Sequence, residues 1–318
     1  MALIALSVPG DVRAGTLTVT DLTHGLTPND LANMLAGNGV TISNVTYTGA
    51  LNAAGEFSGG TTIGGSNGFG FDSGVALSTG SVQGTGGTDH GILGPNDDPA
   101  YTVANGTPGD ADLDALVTPS TTFDAAVLEF DVTPTVGEIS FRYVFGSEEY
   151  NEFVDSQYDD VFGFFVNGHD FAHDCATVPG PNGPERVSIN TVNDGESAPS
   201  VPPSGPGMNA NLFVNNDFQS PAATAPYNTQ LDGFTVPLTC DVMVPANQPS
   251  HVKLAIADTN DEAYDSDVLI EAHSVVAGPQ VPESSSTSAL ALVGGGAVLA
   301  FAVAAPVRRL RLRGKRGE

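Results

Sequence analysis

Two neighbouring segments carry an apolar side chain at every second residue, and this period limits the fold more than any other feature. Ala126, Leu128, Phe130 and Val132 share one face of the first, and Ile139, Phe141, Tyr143 and Phe145 share one face of the second. A period of two is that of a strand with one side on a core, and a helix would scatter the same residues around its axis. Val161–Val166 (VFGFFV) is apolar on both faces and predicts a central strand. Shorter strands are expected at Gly15–Asp21, Val40–Tyr47, Gly74–Thr79, Arg186–Asn190, Phe234–Val244, Val252–Asp258 and Val268–Ser274. The 38 Gly and 22 Pro supply frequent turns between them. The expected fold class is mainly β, an antiparallel two-sheet sandwich of jelly-roll-like form with one or two short helices.

The helices are short and well punctuated. Thr27 is an N-cap, Pro28 suits the first helical position, and Gly37 ends the element. Leu31, Met34 and Leu35 form its apolar stripe, with Leu26 at staple spacing from Leu31. A single helical turn is expected at Ala111–Val117, within a long loop from Gly84 to Asp112. Asn182–Pro206 is Pro-rich and reads as an exposed insertion.

The two ends of the chain speak to its compartment. Ala289–Val307 is a 19-residue run without a charge. As a helix it would span about 28 Å, close to the hydrocarbon thickness of a bilayer. Six of the ten Lys and Arg residues follow between Arg308 and Arg316. The positive-inside rule then places this tail in the cytoplasm and the rest of the chain outside. The expected organisation is a truncated signal peptide at 1–14, a β-sandwich domain at 15–276 and a Ser-rich linker at 277–288. A transmembrane helix at 289–307 and a basic cytoplasmic tail at 308–318 complete it. No basic region precedes Met1–Val8, so the export signal is incomplete as written.

Ahead of Arg308 the chain has four cationic residues (Arg13, Arg142, Arg186 and Lys253) against 36 of its 37 carboxylates. Such a surface repels phosphate backbones and excludes a nucleic-acid partner. Two acidic clusters stand at the ends of strong strands. The first runs through Glu148, Glu149, Asp159 and Asp160, and the second through Asp258, Asp261, Asp265 and Asp267. Carboxylate and amide oxygens at this density are the ligands of Ca²⁺, which is the expected cofactor; solvated acidic loops are the alternative. Asp110, Asp112 and Asp114 imitate the opening of an EF-hand loop, but Ala115 stands where that loop requires Gly and Thr121 where it requires Glu. Cys175 and Cys240 show no metal-ligand spacing; a disulfide and two unpaired thiols both remain open.

Catalytic signatures are sparse. The six histidines form no HExxH, and the pair His169 and His173 reads as strand or turn rather than helix. One GxSxG occurs, Gly64-Gly65-Ser66-Asn67-Gly68, but it lies in a Gly-rich stretch that suits turns and no helix is expected after it, as a nucleophile elbow would require. The chain is therefore expected not to be an enzyme. Sequons occur at Asn44-Val45-Thr46 and Asn105-Gly106-Thr107.

Several ordered motifs resemble the bacterial choice-of-anchor L domain. They are GFDSGVALSTG (Gly70–Gly80), GDADLDAL (Gly109–Leu116), FRYVFGSEEYNEFV (Phe141–Val154), DDVFGFFVNG (Asp159–Gly168) and VSINTVN (Val187–Asn193). FVNN (Phe213–Asn216), LDGFTVPLT (Leu231–Thr239) and HVKLAIADTNDEAYDSDVLIEA (His251–Ala272) continue the series, so the likeness covers roughly Val40 to Val276. The resemblance implies an extracellular domain found with varied C-terminal surface anchors, and it brings no catalytic residues with it. Val281-Pro282-Glu283, the apolar run and the arginines resemble a PEP-CTERM-type tail, although Ser284 replaces the second Pro.

The function expected is that of a non-catalytic cell-surface or matrix protein, adhesive and Ca²⁺-stabilised. Its partners would be the membrane, sorting machinery and an extracellular polysaccharide or surface protein. A calcium-dependent lectin-like module is the alternative. A secreted glycoside hydrolase, with Glu148 or Asp159 working against Asp258 or Asp265, comes third.

Overall fold

The computed structural model describes residues 15–84, 90–195, 206–217 and 225–279. The chain divides into two units, Met1–Gln280 and Val281–Glu318. The second unit lies outside the described residues, as do the expected signal segment at 1–14, most of the linker, the apolar run and the basic tail. Among the described residues no helix is long and apolar enough to cross a membrane.

The first unit is mainly β and antiparallel. Its elements are β1 (Thr18–Asp21), α1 (Pro28–Leu35), β2 (Val40–Thr48), β3 (Ala54–Ser58), β4 (Ser73–Ser78), α2 (Ala111–Val117), β5 (Thr122–Pro134) and β6 (Glu138–Ser147). There follow β7 (Val161–Val166), β8 (Thr177–Gly180), β9 (Gly183–Arg186), β10 (Phe213–Asn215), β11 (Gly233–Thr235), β12 (Leu238–Met243), β13 (Ser250–Thr259), β14 (Ser266–Glu271) and β15 (Val276–Ala277). One sheet runs β1-β3-β4-β14-β6-β11-β10, the other β2-β5-β13-β7, and β8 and β9 form a separate hairpin. Strand β6 is the spine of the larger sheet. Strands β14 and β15 pair along one of its edges, and β11 and β12 along the other.

The two sheets face one another through the alternation read from the sequence. Phe141 and Tyr143 of β6 meet Phe164 and Phe162 of β7, with ring centroids 4.1 and 5.5 Å apart. Leu128 and Phe130 from β5, Leu254 and Ile256 from β13, and Val268 and Ile270 from β14 complete this core. The alternate residues are buried as well. Val127, Val161, Phe165 and Ala255 pack beneath Leu113 and Val117 of α2. Val144, Leu269 and Ala76 pack beneath Phe69 and Phe71, from the Gly-rich stretch between β3 and β4, together with Phe234.

That outer cover explains why VFGFFV differs from expectation. Strand β7 is an edge strand of the smaller sheet, and its two apolar faces reflect layers above and below it. Three other readings are corrected. The expected strand at Arg186–Asn190 ends at Arg186 and continues as a turn. Within the supposed exposed insertion, Val187, Ile189 and Val192 are fully buried in the main core. The expected single strand over Phe234–Val244 is split at Val236-Pro237 into β11 and β12, because proline lacks the N–H that a ladder needs.

Helix α1 is closed by a capping box. The Thr27 side chain accepts from the Asp30 N–H, and the Asp30 carboxylate accepts from the Thr27 N–H. Asp110 caps α2 by accepting from the N–H groups of Asp112 and Leu113, and both its oxygens also lie 2.8 Å from Lys253 Nζ. The EF-hand-like trio is thus a helix cap. Asp112 joins Asp110 on Lys253, while Asp114 accepts from Thr122. Cys175 and Cys240 form a disulfide, with Cα atoms 5.5 Å apart at a sequence separation of 65.

Two outcomes follow for stability. Asp110→Ala removes a cap and leaves Lys253, only 4% exposed, with half its partners. It is expected to cost at least about 2 kcal/mol in urea unfolding, and a smaller loss would reduce the trio to surface charge. Reduction of the disulfide should cost about 4 kcal/mol by loop entropy. An unchanged urea midpoint under dithiothreitol would count against any stabilising role for it.

Candidate functional site: a buried acidic end

Antiparallel register brings the acidic segments together. Strand β6 ends where β7, β5 and β14 begin and where β13 ends: Ser147 pairs with Ser266, Ala257 with Val161, and Thr259 with Thr122. Residues lying just beyond these positions therefore gather at one end of the sandwich, although more than a hundred residues separate Glu148 from Asp258 in sequence. Glu148 and Glu149 follow β6, Asp159 and Asp160 precede β7, Asp258 ends β13, and Asp265 and Asp267 flank the start of β14. A β-bulge between β13 and β5 puts Asp124, at φ +46°, into the same region.

These carboxylates are inside the protein. Glu148, Glu149, Asp160 and Asp258 are each 1% exposed, and Asp124, Asp159, Asp265 and Asp267 are also buried. Asp261 is not among them; it is half-buried and forms a local turn with the Ala263 N–H.

Few cations are near. Among the described residues Arg142 pairs with Glu271, Lys253 with Asp110 and Asp112, and Arg186 with Asp159. One part of the acidic end is satisfied by neutral donors instead. Asp160 accepts from the Thr259 N–H at 2.9 Å and the Ser266 hydroxyl at 2.7 Å, and its own N–H donates to Glu149. Asp265 accepts from the Val103 N–H with both oxygens, in a space that Gly80 leaves by having no Cβ. Asp124 accepts from the Asn105 and Thr107 N–H groups.

The other part lies between three connecting segments and includes residues that sequence reading missed. Glu148, Asn151, Asn96, Gln230 and Asp232 are all buried there. Asn96 Nδ2 donates to Asp232 Oδ1 at 2.7 Å, and Gln230 Nε2 lies 3.4 Å from Asn96 Oδ1 and 3.5 Å from Glu148 Oε2. Glu148 Oε1, Asn151 Oδ1, Glu152 Oε2, Gln230 Oε1 and Asp232 Oδ2 are buried oxygens with no hydrogen-bond partner among the described residues. Asp258 Oδ1 and Asp267 Oδ1 share that condition. Among the described residues no three His, Cys, Asp or Glu side chains form a metal cage by themselves. A cation here would need amide and main-chain oxygens in addition to carboxylates.

Burial is the first cause that raises the proton affinity of Glu148, Glu149, Asp160, Asp232, Asp258 and Asp267. Next comes repulsion from Asp232 for Glu148, and from Asp160 for both Glu149 and Asp258. Asp159 is raised by burial and pulled back by Arg186. Asp174, near the disulfide, is pushed to about 7 by burial, although the N–H groups of Phe164 and Ala176 donate to it.

The spaced pair His169 and His173 is engaged elsewhere. His169 Nδ1 lies 3.0 Å from Asp112, and His173 Nδ1 lies 2.6 Å from Asp170. The amides of both sequons are engaged as well: Asn44 Nδ2 donates to Asp131, and Asn105 Nδ2 to the Thr79 and Gly80 carbonyls.

A carboxyl that holds its proton more tightly folded than unfolded favours the fold at low pH. Its contribution fades as pH rises through the folded pKa. For Asp174 that window runs from the ordinary value of 3.8 to about 7. Asp174→Asn keeps an acceptor for Phe164 and Ala176 but cannot ionise. Its melting temperature should gain on the parent between pH 5 and pH 8. An equal offset at both pH values would mean that this carboxyl does not titrate in the window.

Comparison with known proteins adds one finding. The family model described as Choice-of-anchor L domain matches residues 18–276. No curated protein and no solved structure matches the chain.

Proposed function

Because the chain belongs to the choice-of-anchor L domain family, whose members are cell-surface domains, we propose that it is a non-catalytic, adhesive surface protein whose acidic end is held together by Ca²⁺. In this reading Ala289–Val307 is the anchor in the membrane and Arg308–Arg316 its cytoplasmic stop, with the sandwich outside the cell. Surface partners such as polysaccharide or another envelope protein meet the sandwich from outside.

One observation carries the calcium part: a set of carboxylates buried at one end, with unpartnered oxygens and Arg186 as their single described cation. Holding one such carboxyl protonated at pH 7 costs roughly 4 kcal/mol relative to its ordinary pKa. Several together would consume the whole stability of a typical domain, about 5–15 kcal/mol. A divalent ion removes that cost without protonation.

Burial also ranks the alternatives. In a lectin-like site the calcium must be open to sugar hydroxyls, and a glycosidase carboxylate must touch its substrate. Glu148 at 1% exposure suits neither as well as it suits an internal ion.

The test is thermal unfolding at low salt and pH 7.5 in EGTA and in millimolar CaCl₂. Calcium should raise the melting temperature by several degrees, with a smaller effect from MgCl₂. Identical curves in chelator and calcium would refute the calcium part. A surface assignment requires labelling of intact cells by an antibody to the sandwich, and fractionation wholly with cytosol would defeat it.

A further inference from the structure

We infer that one Ca²⁺ binds in the basin enclosed by Glu148, Asn151, Gln230 and Asp232, with half-buried Glu152 at its margin. This rests on the reading that calcium holds the acidic end, and it says where. The acidic end contains two arrangements of different chemistry. Asp160 and Asp265 are met by N–H and O–H donors, and of the carboxylates beside them Asp258 and Asp267 each keep one buried oxygen without a partner. Around Glu148 and Asp232 five oxygens from five side chains are buried, and each lacks a donor.

Every one of the five is an electron-pair donor: three belong to carboxylates and two to amides. Such a set calls for an electron-pair acceptor. An anion is excluded, and a neutral organic ligand would have to bring a hydrogen-bond donor for each oxygen. Zinc is disfavoured because none of the five is His or Cys. Mg²⁺ requires a tight octahedron and keeps its waters. Ca²⁺ takes six to eight mixed carboxylate, amide and carbonyl oxygens in adaptable geometry, and the basin offers oxygens of all three kinds. The Asp98 carbonyl and Asn96 Oδ1, both within reach of Gln230 Nε2, are further oxygens at the same place.

The placement gives the ion a mechanical task. Glu148, Asn151 and Glu152 lie on the connection after β6, Gln230 and Asp232 on the segment before β11, and Asn96 and Asp98 on the long connection before α2. A single ion would tie three separate connections across the end of the larger sheet.

The test compares the full chain with its Glu148→Gln, Asp232→Asn and Asp258→Asn variants by calcium titration calorimetry and by melting in EGTA or CaCl₂. Glu148→Gln and Asp232→Asn should each weaken calcium binding about ten-fold or more and remove most of the calcium-induced rise in melting temperature. In EGTA the same variants should melt at or above the parent, because each removes a buried, repelled charge. Asp258→Asn should retain the calcium response. If the parent responds to calcium while Asp258→Asn alone loses the response, the ion lies elsewhere at the acidic end: this inference fails and the broader reading stands. A parent without any calcium response defeats both. Millimolar binding that none of the variants changes is adventitious surface binding and overturns the assignment. If Asp232→Asn does not fold, Gln230→Ala should show the same loss, and a parent-like response from it overturns the basin.

Discussion

The register of β6 is the constraint on which the rest of this protein depends. This one strand pairs with four others, supplies Phe141 and Tyr143 to the contact with β7, and ends in the Ser147-Glu148-Glu149 segment. A slip of one residue would turn its aromatic face outward and move every acidic terminus relative to its neighbours. Core and site are therefore set by the same pairing.

The layers on either side of the sandwich reinforce that register. Most sandwiches leave their outer faces to water, but here α2 covers part of one sheet and the Gly-rich connection covers part of the other. Strands buried on both faces have little freedom to shift. The cations follow a matching economy. Lys253 secures the cap of α2, Arg142 the Glu271 side of the larger sheet, and Arg186 the approach to β7. Each is spent on joining elements, and the acidic end keeps a large excess of negative charge.

That excess separates two roles for buried carboxylates. Those met by main-chain N–H groups act as internal caps on loops, as Asp124 and Asp160 do. Others keep a buried oxygen without a hydrogen-bond partner among the described residues, as Glu148, Asp232, Asp258 and Asp267 do.

The sequence by itself determined the long strands, the α1 cap and the acidic termini, because those are local: a period of two, a Thr-Pro start, runs of carboxylates beside apolar segments. Positions such as Glu148, Asp160 and Asp258 were legible as a group for that reason. Tertiary structure decided what is not local. It joined Cys175 to Cys240, made VFGFFV an edge strand between two covers, and buried Val187 and Ile189 inside a Pro-rich stretch. It also brought Gln230, Asp232, Asn96 and Asn151 to Glu148. No spacing marks those residues as partners, since they lie on separate connections and meet only when two edges of β6 and a long loop close over the same end. Long-range pairing carries no periodic signal, and the fate of a buried charge depends on which donors that pairing leaves beside it.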